Sequence, residues 1–409
     1  MAETFAVFVC PVLSENAARM IAAAASLRGV RLGVITQSAE SELPDWARGA
    51  MYRHWHVDNV LDTEQLIWAI TGIAKLAGAE AHRVFGAYEQ AQVPIAEARE
   101  RLGIPGMSSE ATRNFRDKAR MKDILRAADV PCARHALVDS ADGGARAAAR
   151  IGYPLVVKPP AGAGAISTFR VETEKELRSA LALRPPSGEH PALLEEFVRG
   201  EEHSFETISI GGRPVWHSLT RYSPTPLDVV RNPWIQWCVV LPRETSNPVY
   251  DDIRAAGTHA LEALGMTTGL SHMEWFRRSD GSVAIGEVGA RPPGAQITTM
   301  ISRANDIDFL AAWARVMIFE TFTPPVQRYA VGAAYLRGQG NGRVRAVHGM
   351  EAAAREVAPL VCDYRLPHTG QEPTGSYEGE GFIIVRHPDT AVVEHALERI
   401  VSLVHVELG

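Results

Sequence analysis

The first part of the chain alternates short apolar runs with amphipathic stretches. Apolar residues dominate positions 4–9, 30–36 and 82–85, and each run has the length of a buried strand. The stretches at 14–28 and 63–78 have helical periodicity, and Ser14 is a suitable N-cap for the first of them. This alternation of strand and helix predicts a parallel sheet covered by helices.

The pattern changes near residue 108, where longer hairpins replace the regular alternation. Glycine pairs and an Asp-Gly pair mark tight turns at Gly211-Gly212 and Asp280-Gly281. The other elements expected here are helices near 109–115, 117–128, 306–319 and 391–405, and strands near 329–335 and 381–385.

These changes predict a protein of the α/β (α+β) class with three domains. The first spans residues 1–112. The second spans residues 113–325, with two lobes near 113–200 and 201–325. The Thr-Pro-Pro at 323–325 reads as a linker to a small α/β domain at 326–409.

Composition argues against several classes of protein. The 409 residues include 42 Lys and Arg against 48 Asp and Glu, with no basic block, which argues against nucleic acid as the main partner. The 4 cysteines form no CxxC pair, so we expect neither a zinc site nor disulfides. This pattern is typical of a reducing compartment, so we expect a cytoplasmic location. No run approaches the roughly 18 apolar residues of a membrane span, and the first apolar run reads as a strand, not a signal peptide.

Two glutamates are predicted to face each other across the hairpin at Asp280-Gly281. If these two residues form the loop, Glu274 and Glu287 lie directly opposite each other with their side chains on one face. Two like charges in that position need a cation between them, and oxygen ligands suggest Mg²⁺ or Mn²⁺. The alternative is a solvated acidic surface, although the apolar residues before Glu287 and Arg291 after it favour a site.

Lys158 ends an apolar strand and is followed at once by a loop of small residues, "PPAGAGA". Glycines allow backbone N–H groups to approach phosphate oxygens, and a lysine supplies a positive charge. The loop lacks the order of a Walker motif, so a plain β-turn with an exposed lysine stays an alternative.

The stretch "LLEEFVRGEE" is a strand that ends in two acids, Glu195 and Glu196, before a break at Gly200. A carboxylate beside a free backbone edge can bind the amino group and ring nitrogen of adenine. Glu202, past the glycine, could bind ribose hydroxyls. Each acid taken alone is more often a surface residue.

Together these stretches resemble the ATP-grasp superfamily. The resemblance spans roughly residues 105–320 and rests on the order and spacing of five motifs: Lys118, "VVKPPAGAGA", "LLEEFVRGEEHSFE", "HMEW" and "GEVGARPPG". It implies an ATP-grasp fold preceded by a Rossmann-like parallel-sheet domain. The pairs His272/Glu274 and Glu287/Arg291 are most similar to the branch of L-amino-acid ligases, which form dipeptides.

The resemblance also implies a role for each matching residue. Arg291 would stabilise an acyl phosphate and the tetrahedral species formed from it, with Lys158 and His272 as further catalytic candidates. Glu274 and Glu287 would hold two Mg²⁺ ions. The residues implied in ATP binding are Lys118, Lys158, Gly162, Gly164, Ala165, Glu195, Glu196, Phe197, Val198 and Glu202.

This implied enzyme is an ATP-dependent carboxylate–amine ligase that acts through an acyl phosphate. Biotin carboxylase and many other ATP-grasp enzymes have asparagine where this chain has Gly289, which counts against a carboxylase and leaves full occupancy by two metals open. Ligation to ammonia or a thiol is a further alternative. A non-catalytic nucleotide-binding module is disfavoured by the intact Lys158, Glu274, Glu287 and Arg291.

The substrates are a small-molecule carboxylate and an amine that the sequence does not specify. The proline- and tryptophan-rich segment 220–243 is expected to be the substrate loop. The candidates for substrate binding are Arg221, Trp234, Trp237, Arg291, Gly294 and Ala295, where the small Ala295 suggests a roomy pocket. Plain packing is as good an account of the tryptophans, and His272 could equally be a core or surface histidine. A homodimer is open, since dimers are common among relatives.

Overall fold

The N-terminal region is a parallel sheet with helices packed on it, as the sequence predicts. The computed structural model describes residues 3–161, 168–232 and 235–409. The strands follow the order β3-β2-β1-β4, and Ser14 caps α1 by accepting a hydrogen bond from Ala17 N. The elements are β1 (Thr4–Cys10), α1 (Glu15–Ala25), β2 (Val30–Thr36), α2 (Asp45–Arg48), β3 (Arg53–His56), α3 (Thr63–Ala77), β4 (Arg83–Gly86), α4 (Gln92–Leu102) and α5 (Ser109–Arg116).

A small antiparallel sheet follows, in the order β5-β8-β6-β7. Its elements are α6 (Lys118–Ala127), β5 (His135–Val138), α7 (Ala141–Ile151), β6 (Leu155–Lys158), β7 (Phe169–Val171), α8 (Glu174–Leu183) and β8 (Ala192–Glu196). Helices α7 and α8 cover this sheet through an apolar cluster of their own that includes Leu155, Leu177 and Leu194. We call it the small sheet below.

Most strands after residue 199 build a large antiparallel sheet, in the order β13-β12-β9-β10-β11-β14-β18-β17. Its elements up to residue 319 are β9 (Gly200–Ile210), β10 (Arg213–Ser223), α9 (Pro226–Arg231), β11 (Trp237–Leu241), α10 (Asp251–Leu264), β12 (Gly269–Arg278), β13 (Val283–Gly289), α11 (Ile297–Asn305) and α12 (Phe309–Phe319). Its β9–β10 hairpin turns at Gly211 and Gly212, both with positive φ.

The C-terminal residues continue this large sheet. Strand β14 pairs with β11, so the hydrogen-bonded ladder crosses the proposed domain boundary near residue 326. A further sheet, in the order β15-β19-β16, lies at the end of the chain. The remaining elements are β14 (Ala330–Leu336), β15 (Gly338–Gly340), β16 (Val344–His348), α13 (Met350–Val357), β17 (Val361–Arg365), β18 (Gly381–His387), α14 (Thr390–Leu403) and β19 (His405–Leu408).

The N-terminal sheet and the large sheet share one apolar core. Phe8 and Phe85 from the N-terminal sheet pack edge-on against Trp313 of α12, with ring centroids 6.4 and 5.6 Å from it. Fully buried aromatic side chains contribute strongly to stability. The N-terminal region is therefore packed against the rest of the chain. In the described part of the chain no helix is long and apolar enough to cross a membrane.

The start of α6 gives the first testable consequence of the fold. Asp117 caps this helix, since its carboxylate accepts hydrogen bonds from Ala119 N (2.9 Å) and Arg120 N (3.0 Å). We expect Asp117→Ala to lower the free energy of unfolding by about 1 kcal/mol, and Asp117→Asn to retain most of it, because asparagine caps equally well. Chemical denaturation of the three proteins measures this, and equal stability of Asp117→Ala and the parent would contradict the cap.

Candidate active site

A pocket of about 350 Å³ lies between the small sheet and the edge of the large sheet. Lys158 at the end of β6 and Glu195 on β8 line it from the small sheet. Glu274 and Glu287, on the paired strands β12 and β13, line it from the large sheet. The strand ends thus bring together acids and bases that lie more than one hundred residues apart in the sequence.

Lysines and glutamates, most of them buried, lie together at this pocket. Lys122 Nζ lies 3.1 Å from Glu195 Oε1, and Lys158 Nζ lies 2.9 Å from Glu195 Oε2. Lys118 Nζ lies 2.6 Å from Glu287 Oε1. Lys118 and Lys122 are one helical turn apart on α6, so both ammonium groups point to the same side. We call these five residues the Lys–Glu cluster.

Charges in the Lys–Glu cluster shift one another's protonation. Burial alone would raise the pKa of Glu287, but Lys118 and Lys158 lower it to about 2. Burial would lower the pKa of Lys158, but the Glu195 and Glu287 carboxylates raise it. Lys122 is fully enclosed, and that burial lowers its pKa in spite of Glu195. The carboxylates of Glu195 and Glu287 are therefore ionised at neutral pH, and Lys158 is charged.

Glu274 and Glu287 are paired residues of β12 and β13, as the sequence predicts. The predicted two-residue loop is wrong, however. Arg278 N donates to Ser282 O (2.9 Å), so residues 279–281 form a three-residue loop that ends at Gly281 with φ +83°. Gly286 is then an extra residue in β13, and this bulge restores the pairing of the two glutamates. The bulged Gly286 carbonyl accepts a hydrogen bond from Lys122 Nζ.

His272 lies on the same face as Glu274, as predicted from its spacing. Its Nε2 is 3.8 Å from Glu274 Oε1, and its Nδ1 is 2.8 Å from Glu206 Oε1. Burial would lower the pKa of His272, but the hydrogen bonds to Glu206 and Glu274 raise it to about 9. A charged imidazolium thus separates two carboxylates. The prediction that it contacts substrate stays a prediction.

Glu202 lines the same pocket from β9. Burial, and then the charge of Glu274, raises its pKa well above the ordinary value, with Asp228 of α9 adding to the effect. The oxygens of a carboxyl group can accept hydrogen bonds. This chemistry suits contact with hydroxyl groups.

Arg291 is held by an acid from the N-terminal region. Its Nε and Nη2 lie 3.2 and 3.1 Å from Glu89 Oε2, and its Nη1 donates to Pro292 O (3.0 Å). The other oxygen of Glu89 accepts from Arg116 Nη1 (2.9 Å), and Arg116 also donates to Ala161 O (3.0 Å). Glu89, which is buried, therefore links Arg291 to Arg116, and Arg116 in turn contacts Ala161.

The segment implied in adenine binding lines the pocket beside the Lys–Glu cluster. Glu196 points away from Glu195 and pairs with Arg134 (3.0 Å), while the ring of Phe197 lies under the Arg170 guanidinium (4.1 Å). Val198 N makes no hydrogen bond within the described residues. Both Glu195 oxygens face lysines, so this side chain organises the cluster. Gly162, Gly164 and Ala165 lie outside the described residues.

The predicted substrate loop 220–243 is in fact the end of β10, helix α9 and strand β11. Arg221 pairs with Glu394 of α14 and lines a groove that adjoins the pocket at Glu202 and Asp228. Trp237 is buried in the core, stacked on Tyr335 with 4.7 Å between ring centroids. Trp234 lies outside the described residues. The structure therefore does not bring Arg221 together with Arg291, and it explains Trp237 by packing.

Gly294 and Ala295 follow Arg291 in a tight turn. Ala295 is buried in the same apolar cluster as Trp237, and its carbonyl accepts a hydrogen bond from the Tyr335 hydroxyl. Its N–H donates to Glu378 Oε1 (3.2 Å). The backbone of Ala295 is thus fixed on both sides, and its role in setting the size of a substrate pocket stays a prediction.

Sequence reasoning missed four site residues: Lys122, Glu206, Glu89 and Arg116. Sequence spacing could have indicated two of them, because Lys122 follows Lys118 by one helical turn and Glu206 follows Glu202 by two strand repeats. Glu89 had no such signal, since its partner Arg291 lies about two hundred positions away in the sequence.

Comparison with known proteins agrees with this geometry. Residues 123–305 match the family model of the ATP-grasp domain. The chain contains an ATP-grasp domain. The L-arginine-specific L-amino acid ligase of Bacillus subtilis is 23% identical over 300 residues, which cover 71% of this chain and 69% of that protein. The alanine–anticapsin ligase of Bacillus subtilis (strain 168) is 30% identical over 305 residues, 69% of this chain and 62% of that protein.

The same fold occurs in the L-amino acid ligase from Bacillus licheniformis. Its crystal structure superposes with a TM-score of 0.78 at 20% identity, over 100% of both chains. The predicted ATP-grasp fold is confirmed, and so is the resemblance to ATP-grasp ligases of the L-amino-acid ligase branch. The chain is accordingly an enzyme of the ATP-grasp ligase type.

From the Lys–Glu cluster we expect that replacing its fully buried lysine, Lys122, strongly lowers the free energy of unfolding. Lys122→Met leaves Glu195 with one lysine instead of two and should lower the free energy of unfolding by about 3 kcal/mol, as for one partner of a buried ion pair. The exposed Lys75→Met on α3 is the matched control and should change it by less than about 0.5 kcal/mol. Urea denaturation measures both, and similar values for the two variants would contradict this account of Lys122.

Proposed function

We propose that this ATP-grasp ligase is an L-amino acid ligase that joins the carboxylate of one amino acid to the amine of another. The observation that supports this most directly is that β13 positions both residues. Glu287 lies in the Lys–Glu cluster, and Arg291 follows the end of the same strand. Sites for phosphate charge and for a substrate carboxylate would therefore adjoin each other. The L-amino acid ligases among the relatives support this choice of substrate class.

ATP would occupy the pocket between the two sheets. Lys118 and Lys158 would contact its phosphates, with the loop of Gly162, Gly164 and Ala165 closing over them. The Val198 N–H, which makes no hydrogen bond within the described residues, would suit the edge of adenine together with Glu196, and Phe197 would suit its face. The carboxyl oxygens of Glu202 would accept hydrogen bonds from the ribose hydroxyls. Glu195 would act mainly by holding Lys158 in place.

Glu274 and Glu287 fit a divalent metal that is shared with the phosphates. Within the described residues no group of three or more His, Cys, Asp or Glu side chains could hold a metal alone. Two opposed carboxylates with oxygen donors do suit Mg²⁺ or Mn²⁺ when phosphates supply further ligands. When bound, the metal would neutralise phosphate charge. Gly289 offers no side-chain ligand for a second ion.

The reaction would proceed in two steps. A carboxylate oxygen of the first amino acid attacks the γ-phosphorus of ATP, the bond to the β-phosphate oxygen breaks, and an acyl phosphate and ADP result. The neutral amine of the second amino acid then attacks the acyl carbon. The tetrahedral oxyanion collapses, inorganic phosphate leaves, the nitrogen gives up its proton to solvent, and an amide remains.

Arg291 would bind the reacting carboxyl oxygens in both steps. Its guanidinium offers paired N–H donors to a carboxylate and to the oxyanion that forms from it. Glu89 and the Pro292 carbonyl fix its orientation. His272, charged and held between Glu206 and Glu274, would offer a further positive charge near the phosphates.

A direct assay tests this function. Purified protein with ATP, Mg²⁺ and pairs of amino acids should release ADP, and mass spectrometry should show products equal to the two amino acids minus water. Omission of the amine should suppress ADP release. ADP release that needs bicarbonate and biotin instead would assign the chain to the carboxylases.

The acid pair gives a matched test of the proposed metal ligands. Glu287→Gln should lower kcat/KM by about 100-fold or more, because it removes charge stabilisation at the transferring phosphoryl group. Glu110→Gln, an exposed acid on α5, should leave it unchanged. Full ATP turnover by Glu287→Gln with Mg²⁺ would remove Glu287 from the metal site.

A further inference from the structure

A carboxylate from the C-terminal part of the chain holds the turn that follows Arg291. Glu378 Oε1 accepts a hydrogen bond from Ala295 N (3.2 Å), and a Cβ added at Gly294 would lie 3.7 Å from this oxygen. Ala295 and Gln296 have φ of +51° and +53°, so the turn is wound tightly here. Glu378 therefore lies directly beside the turn that carries Arg291.

Glu378 is a half-buried acid without a cation of its own. Within the described residues its carboxylate has Ala295 N as its hydrogen-bond donor and makes no ion pair. Burial raises its pKa, while the Ala295 amide and the charge of Arg365 oppose this only in part. Arg365 itself faces Glu15 at 3.8 Å. A cationic group placed beside Glu378 would relieve this imbalance.

Tyr377 connects Glu378 to the active site. Burial, and then the charges of Glu378 and Glu274, raises the pKa of the Tyr377 hydroxyl, while Arg291 lowers it. Tyr377 directly precedes Glu378 and packs against the apolar cluster that contains Trp237 and Ala295. Its ring packs edge-on against Trp237, with 4.8 Å between centroids. Tyr377 and Glu378 therefore lie at the turn that follows Arg291.

We infer that Glu378 selects the substrate, by binding a cationic nitrogen of the amino acid whose carboxylate is activated. This inference rests on the proposed function. An amine must be neutral to attack the acyl phosphate, and a carboxylate beside an amine holds it as ammonium. The nitrogen at Glu378 is thus not the nucleophile. We assign it to the acid substrate because Glu378 lies at the turn that follows Arg291, with Arg291 on the carboxylate and Glu378 on the α-ammonium or on a basic side chain.

Glu378→Gln tests the charge alone, because glutamine keeps an oxygen that can accept from Ala295 N. Affinity for the acid substrate is measured by calorimetry with a non-hydrolysable ATP analogue and Mg²⁺, and KM and kcat by ADP release. The variant should raise Kd and KM for this amino acid about 10- to 100-fold, the range of a charge-assisted hydrogen bond. KM for ATP and kcat should stay within about twofold, and Glu378→Asp should retain part of the affinity.

The two sources of the cation are separated by the choice of amino acid. If the α-ammonium is bound, N-acetylation of any acid substrate should weaken its binding to the parent protein, and Glu378→Gln should then have no further effect. If a side-chain cation is bound, the loss in Glu378→Gln should be confined to lysine- and arginine-type substrates. Either pattern supports the inference.

Glu380→Gln is the matched control on the same segment. Glu380 is buried and accepts from Thr374 N (3.2 Å) and from Gly338 N, so its role is structural. This variant should lower Tm and leave Kd unchanged. A Glu378→Gln protein that behaves in the same way, or that loses kcat with an unchanged Kd as a general base would, overturns the inference.

The same experiment separates this inference from the proposed function. Amide formation with a Kd that does not depend on Glu378 overturns the inference alone. Amino-acid binding that depends on Glu378, without any amide product, overturns the proposed function alone. A parent protein that binds no amino acid contradicts both.

Discussion

The arrangement depends on the compensation of buried charge where the two sheets meet. Glu195 comes from the small sheet, Glu287 from the large sheet, and the lysines between them from α6 and β6. A buried carboxylate without these lysines would be strongly disfavoured, as would a buried lysine without its acid. The contact thus holds the sheets in a defined relation. It also leaves ammonium groups facing the space between them, which is what a phosphate-binding pocket requires.

Charge pairing also fixes Arg291, which follows the end of β13. Arg291 would be a mobile surface guanidinium if only the two prolines restrained its backbone. Glu89 fixes it from the N-terminal region, and the same carboxylate holds Arg116 next to the start of α6. One acid therefore links the N-terminal sheet, the helix that carries Lys118 and the proposed substrate arginine. The shared apolar core around Trp313 gives this link a rigid support.

Elements with strong local signals were predictable from the sequence. The strand at 30–36, the cap at Ser14 and the turn at Gly211-Gly212 all depend on neighbouring residues. The facing of Glu274 and Glu287 was predicted through a wrong loop, since a three-residue turn and the Gly286 bulge offset each other. The pairing of β14 with β11 and the contact of Glu89 with Arg291 had no local signal, because both join distant parts of the chain. Segment 220–243 was predicted to be a loop because its prolines are typical of loops, although it contains helix α9 and strand β11.

The distribution of charge separates the proposed nucleotide region from the proposed amino-acid region. Lys118, Lys122 and Lys158 concentrate positive charge on the nucleotide side of the acid pair, where phosphates would bring negative charge. On the other side, Arg291 is partly neutralised by Glu89, and Glu378 lies without a cationic partner among the described residues. A zwitterionic amino acid matches this second region better than a simple carboxylate does, because it supplies both an anion and a cation. The preference for amino acids would then follow from the charges around the turn at 291–295, and the ATP pocket would not need to discriminate among acids.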